Sequence, residues 1–485
     1  MPYLRSKILR FSIITRLSII ALQLFFNAIC PDHVADAFKS PQNPEEKISN
    51  FDRLISFLLT GLTHWDSEYY LHIAKYGYTY ENTLAFFPLY PMTIRASAIV
   101  LKKILFFLNY QSVITISAVA INFFCFIKSS LILYDLTSVL TNKKMAYRSA
   151  ILFCISPASI FFTAAYTESM FSYLTFHSML AAVKNDRFAS IPIGLSSLLR
   201  SNGLINVGFP LFTSLRDLIH RFSVLKAKSF TKLSKLIAGL KISISCLSQM
   251  FSTILLSIAP FLLLQTYYYV LFCAESANST FILPHVKKFG DDNGLVMPGG
   301  EIPSWCYDKI PSAYSYIQKK YWNVGFLNYY DLKQIPNFIL AFPIIFMMSK
   351  CIFGYFRENW GEIVSLRVFR LDFEREKSKE KNYPVLMFPF IVHGLFLTVF
   401  CIFFVHIQVS TRLLGSASPL LYWYSSILMS EGERNDWNDK DEGKIYHKVF
   451  FKSKRWTTVE KFVIGYFLGY TVLGTFMYSN FLPWT

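Results

Sequence analysis

The sequence predicts an all-α polytopic membrane protein, and three observations predict it. Of 485 residues, 53% are hydrophobic, with 48 Phe among them. Long apolar runs recur, several long enough to cross a hydrocarbon core of about 30 Å. The runs are continuously apolar rather than alternating, which excludes a β-barrel. The net charge of +17 falls between the apolar runs. That is the bias of cytoplasmic loops, not a nucleic-acid surface. The eight Cys form no CxxC pair, and most sit inside apolar runs as small core residues.

The first span, 8–30, contains Arg10 and Arg16 and lacks a small-residue cleavage site. It reads as a retained helix rather than a removed signal. Further spans fall at 111–133, 148–164, 168–184, 243–272, 336–356, 385–405, 412–429 and 460–480. With the segment 188–215 they imply about 9–11 transmembrane helices in one domain over 1–485. Arg5, Lys7 and Arg10 place the N-terminus in the cytosol, and Lys143, Lys144 and Arg148 return to that side. The first loop, 31–110, is then lumenal.

The segment 188–215 resembles one helix, yet it leads to Arg216, Arg221, Lys226, Lys228, Lys232, Lys235 and Lys241 against a single Asp217. Such a loop belongs in the cytosol. The conflict resolves if 188–215 is a re-entrant hairpin turning at Arg200-Ser201-Asn202-Gly203. The loop 273–335 is then lumenal and carries the glycosylation sequon at Asn278. The loops 357–383 and 430–459 are cytosolic linkers, and the C-terminal "FLPWT" is lumenal.

The first loop holds an unusual block, "THWDSEYYLHIAKYGYTYENTLAFFPLYP", from Thr63 to Pro91. In a helix over 63–76, Trp65, Tyr69, His72 and Tyr76 share a face, which predicts an amphipathic helix along the bilayer surface. Pro88 and Pro91 then break it. Asp66 reads either as a general base or as a helix cap. Glu68 and Glu81 read as weaker candidates, both solvated. Glu168, in "AAYTES", reads as a cap or a catalytic acid. Arg200 is an intramembrane cation, hence a functional candidate. Arg412 follows His406 and Gln408 in "HIQVSTR" and reads as a phosphate-binding cation or a snorkelling anchor. The topology places Asp66, Glu168, His406 and Arg412 at one lumenal surface, with Arg200 joining if its hairpin reaches that far. An acid and several cations there suit a reaction on a lipid-linked phosphate.

Five blocks carry a resemblance: "HWDSEYYLHIAKYGYTYENTLAFFPLYP", "SPASIFFTAAYTESMF", "LLRSNG", "YWNVGFLNYYDLKQIPNFILA" and "HIQVSTRLLGSASPLLYWY". Together, in this order, the chain resembles the PIG-V family of GPI mannosyltransferases II. It departs from the family pattern at Ser156 and Asn328. The resemblance implies a GT-C glycosyltransferase of the endoplasmic reticulum membrane with a lumenal first-loop site. It implies dolichyl phosphate mannose as donor and a mono-mannosylated GPI precursor as acceptor, extended by an α-1,6-linked second mannose. In fungi it implies a small accessory membrane subunit as partner.

On that basis Trp65, Asp66 and Glu168 are the catalytic candidates. Arg412, Arg200 and His406 are the donor-phosphate candidates, and His64, Glu68, Tyr69 and Gln408 position substrate. The donor is β-linked and the product α-linked, so one inverting displacement with one base suffices. The leaving phosphate needs cations, not a metal, and no DxD or His cluster demands one; no cofactor is expected. The alternatives are another mannosyltransferase using the same donor, or a transporter or scaffold. A transporter would show repeated halves, and none are found.

Overall fold

The computed structural model describes residues 2–227, 231–274, 281–370, 382–429 and 456–484. Asn278, and most of the 430–459 segment, lie outside the described residues. Among the described residues the fold is all-helical. Six helical spans among the described residues are long and apolar enough to cross a membrane: α1 (Pro2–Ile29), α5 (Tyr110–Leu140), α10 (Lys232–Cys273), α13 (Ile335–Val364), α14 (Phe388–Phe403), which with the 3₁₀ turn before it runs Val385–Phe403, and α17 (Thr458–Ser479).

The other three expected spans are shorter or broken. The expected span 148–164 is not one helix: α6 (Lys143–Cys154) stops at Cys154. Residues 155–167 then run as buried turns. Irregular backbone at such depth survives only where protein satisfies it, and Arg16 does so. Its guanidinium donates to the Cys154 and Ser159 carbonyls and to the hydroxyls of Ser159 and Thr163. Asn122 on α5 donates to the carbonyls of Ala164 and Tyr166. The helix α7 (Glu168–Val183) has 16 residues. The span 412–429 is split at Ser418–Pro419 into α15 (Ser410–Ala417) and α16 (Leu420–Leu428).

The segment 188–215 reverses. α8 (Ser190–Ser197) passes beside Leu256 and Pro260 of α10, the chain turns at Leu198–Arg200, and a 3₁₀ stretch, Ser201–Val207, returns against α8. A Cβ on Gly203 would fall 2.5 Å from the Ser196 backbone, so the return needs glycine there. α9 (Gly208–Ala227) then descends antiparallel to α10: Ser214 meets Cys246, and Phe222 meets Gly239. The basic residues expected in a loop therefore stand largely on α9 and the first turns of α10. Lys and Arg are good helix formers, and the two helices pack on each other.

The first loop folds into α2 (Asn50–Leu59), α3 (Asp66–Tyr76) and α4 (Leu89–Ile104). α3 does not lie on the bilayer surface. Its Tyr70, Leu71, His72, Ile73 and Ala74 are buried, and none of its residues is exposed. Its aromatics find protein partners instead: Tyr69 stacks on Phe38 and Phe86. α2 is the helix that keeps an exposed apolar face, with Phe51, Leu54 and Phe57. Pro88 and Pro91 do not end a helix but begin one. Pro88 is the N-cap of α4 and Pro91 lies in its first turn, where the missing N–H costs nothing.

Between α10 and α13 lie α11 (Pro284–Asp292) and α12 (Ala313–Trp322), tied back by a Cys273–Cys306 disulfide. Five of the other cysteines, Cys125, Cys154, Cys246, Cys351 and Cys401, are free and buried.

Candidate active site

Trp65 precedes α3 with φ +56°, ψ −129°. That conformation costs a non-glycine residue about 1–3 kcal/mol and persists only where its surroundings enforce it. Tyr166 supplies part of the enforcement, because its hydroxyl accepts the Asp66 N–H at 3.0 Å. Asp66 is the first residue of α3, and the cap position before it is Trp65. The Asp66 carboxylate faces the Arg412 guanidinium, with Nη2–Oδ2 at 2.9 Å.

Four distant segments converge here: the start of α3, the start of α7, the 198–200 turn and α15. Arg412 Nη1 lies 3.7 Å from Glu168 Oε1, which also accepts from Arg200 Nη1. Acid and cation thus alternate as Asp66–Arg412–Glu168–Arg200. Glu168 is fully buried, and its Oε2 has no hydrogen-bond partner among the described residues. Arg412 also packs over the rings of Phe161 and Tyr166. Ser172 on α7 donates to the Ser416 carbonyl, which fixes α15 against α7. Among the described residues, no cluster of three or more His, Cys, Asp or Glu side chains could hold a metal ion.

The remaining candidates have other partners. His64 stacks on Phe481 at 3.7 Å and places Nδ1 3.3 Å from the Tyr478 carbonyl. Burial lowers its pKa. The Trp65 ring leans on Phe481, and its buried indole N–H has no hydrogen-bond partner among the described residues. Glu68 is not solvated: Oε2 accepts the Ser40 N–H at 3.1 Å, and burial pushes its carboxyl up to about 7 against the pull of Ser40 and Lys39. Glu81 is fully buried, accepting from Trp305 Nε1, Lys320 Nζ and the Tyr321 hydroxyl. It joins the first loop to α12.

His406 and Gln408 both contact Tyr329. The His406 ring stacks on it at 4.4 Å, and Gln408 accepts its hydroxyl proton. Sequence reasoning missed Tyr166, Tyr478 and Phe481. Tyr166 lies in the "YTES" block beside Glu168; nothing local marks the other two, which the C-terminal helix delivers.

Fold and site together define a class: a helical membrane protein that brings two carboxylates and two arginines from four distant segments into one charge ladder. The chain belongs to the mannosyltransferase (PIG-V) family, whose model matches residues 5–485. It is 34% identical over 511 residues to the GPI alpha-1,6-mannosyltransferase 2 of Homo sapiens, with 99% of each chain covered. To the GPI mannosyltransferase 2 of Drosophila melanogaster it is 34% identical over 495 residues, again with 99% of each covered. The oligosaccharyltransferase of Archaeoglobus fulgidus aligns with a TM-score of 0.41 at 10% identity, covering 95% of this chain and 53% of that one. The protein is a mannosyltransferase.

Proposed function

We propose that this enzyme transfers mannose from dolichyl phosphate mannose to the 6-hydroxyl of a one-mannose GPI precursor, on the lumenal face of the endoplasmic reticulum membrane. The observation that carries the reading is the Asp66–Arg412–Glu168–Arg200 ladder in a chain 34% identical, end to end, to GPI alpha-1,6-mannosyltransferase 2. Asp66 is the base. Arg412 holds one carboxylate oxygen, which leaves the other to take the hydroxyl proton as the acceptor oxygen attacks the anomeric carbon. The bond to phosphate breaks on the opposite side, and the anomeric centre inverts.

Arg412 and Arg200 stabilise the charge that develops on the leaving phosphate. Glu168 sits between both guanidiniums, so its role is to hold them in place rather than to move a proton. No metal is needed for a charge that fixed arginines can meet. The Cys273–Cys306 disulfide supports the sidedness. Disulfides persist in oxidising compartments, and the segment that holds this one is bonded to the first loop through Trp305 and Glu81.

The test incubates membranes containing the enzyme with dolichyl phosphate mannose and the one-mannose precursor. A two-mannose product with an α-1,6 linkage is expected. Transfer only to a different glycolipid would assign the enzyme to another step.

A further inference from the structure

The first loop also holds a cavity that the transfer chemistry does not use. It encloses about 630 Å³ between residues 43–49, the end of α3 and the α4–α5 turn. Lys47, Lys75, Lys102, Glu46, Asp52 and Phe107 are among its lining. Its acids are already engaged. Asp52 accepts from the Ser49 amide and hydroxyl and from the Asn109 amide. Glu46 accepts from Lys75 at 2.6 Å and from the Gln111 amide. Lys102 is tethered to the carbonyls of Phe106 and Leu108. Lys102 and Lys47 are therefore cations without a carboxylate partner among the described residues.

Beside the cavity stands an apolar surface. Phe51, Leu54 and Phe57 of α2 are exposed, as are Ile104, Phe106 and Phe107 at the end of α4. The rings of Phe51 and Phe107 meet edge to face at 5.3 Å. Such a patch marks contact with a membrane. Phe107 belongs to both patch and cavity wall, so the cavity opens where the chains of a lipid would end and its head group begin. Helix α3 links the cavity to the ladder: Lys75 and Tyr76 line the one, and Asp66 stands in the other. At 1.5 Å per residue that separation is about 15 Å.

We propose that this cavity binds the lipid-proximal phosphodiester of the acceptor, an assignment that rests on the reading of the acceptor as a lipid-anchored glycan. The donor does not suit it, because its sugar is bonded directly to phosphate. The donor phosphate must therefore lie at the arginines beside Asp66. An acceptor whose phosphate is separated from its reacting hydroxyl by several sugar rings spans the distance along α3. Lys47 and Lys102 hold the phosphodiester, and the acyl chains lie over the α2 patch.

The experiment uses the full-length enzyme in nanodiscs with two acceptors: the one-mannose phosphodiester glycolipid, and the same glycan on a neutral diacyl lipid without phosphate. The wild type should prefer the first in kcat/KM. Lys47→Glu should cut that preference about tenfold, the worth of one charge-assisted contact. The change should appear in the acceptor KM, with the donor KM unmoved and Lys47→Arg restoring the preference. A variant that keeps the wild-type preference overturns the proposal. So does a neutral diacylglycerol that competes with the phosphodiester acceptor as well as phosphatidylinositol does, because the cavity would then read acyl chains rather than phosphate. Failure of the functional reading looks different: the wild type would transfer mannose to neither acceptor.

Discussion

Asp66 and Glu68 stand two residues apart on α3 and have different partners. Asp66 faces a guanidinium at 2.9 Å and has a side chain 23% exposed, which suits a group that must meet a substrate hydroxyl. Asp66→Asn keeps the shape and a contact to Arg412 but removes the basicity. Turnover should fall about 10²–10⁴-fold in a protein that inserts and melts like wild type. Normal turnover would remove Asp66 from the chemistry. Glu68 faces a backbone amide, and burial raises its carboxyl from the ordinary 4.5 to about 7. A raised folded-state pKa means stability that is fully present below about pH 4.5 and lost as pH climbs through 7. Glu68→Gln stays neutral throughout. Its melting temperature relative to wild type should therefore rise between pH 5 and pH 8, and a difference that ignores pH would refute the assignment.

Among the elements, the hairpin at 188–215 matters most, because it decides on which side α9 ends. Its tip delivers Arg200 to Glu168, and its 3₁₀ return leads into α9, antiparallel to α10. A glycosylation sequon inserted after Ala227 should remain unmodified in cells, whereas efficient glycosylation there would place α9 and the start of α10 in the lumen. The α11–α12 region is fixed from two sides, by the Cys273–Cys306 disulfide and by Glu81. Glu81→Gln removes the charge that Lys320 and two further donors share. It should cost about 1–3 kcal/mol, seen as a lower melting temperature, while Lys320→Gln should cost less because Lys320 is half exposed. Equal losses would mean that the Lys320 pair accounts for the whole effect, and no loss in Glu81→Gln would mean that Glu81 acts through packing alone.

For the whole molecule, the proposed mechanism has the charge ladder from four segments meet the leaving phosphate without a metal. Activity should survive exhaustive EDTA treatment; complete loss, restored by Mn²⁺ or Mg²⁺, would point to a carboxylate metal site, with Asp66 and Glu168 the first residues to examine. The sequence by itself determined the helical membrane class, through apolar runs that only lipid or a large core can accommodate. It suggested a reversal within 188–215, whose turn the structure sets at 198–200, because one more full span would put a dense basic run on the wrong side. It also singled out Asp66, Glu168, Arg200 and Arg412, since each is a charge set in an apolar or aromatic stretch. Tertiary structure alone decided how those charges pair, because ion pairing depends on positions up to 346 residues apart that no local pattern encodes. It decided that α3 is interior, because periodicity marks an apolar face but not what covers it. It decided that residues 155–167 leave the helix: their sequence is as apolar as a span, and the buried Arg16 that bonds the Cys154 and Ser159 carbonyls and the Ser159 and Thr163 hydroxyls comes from another helix.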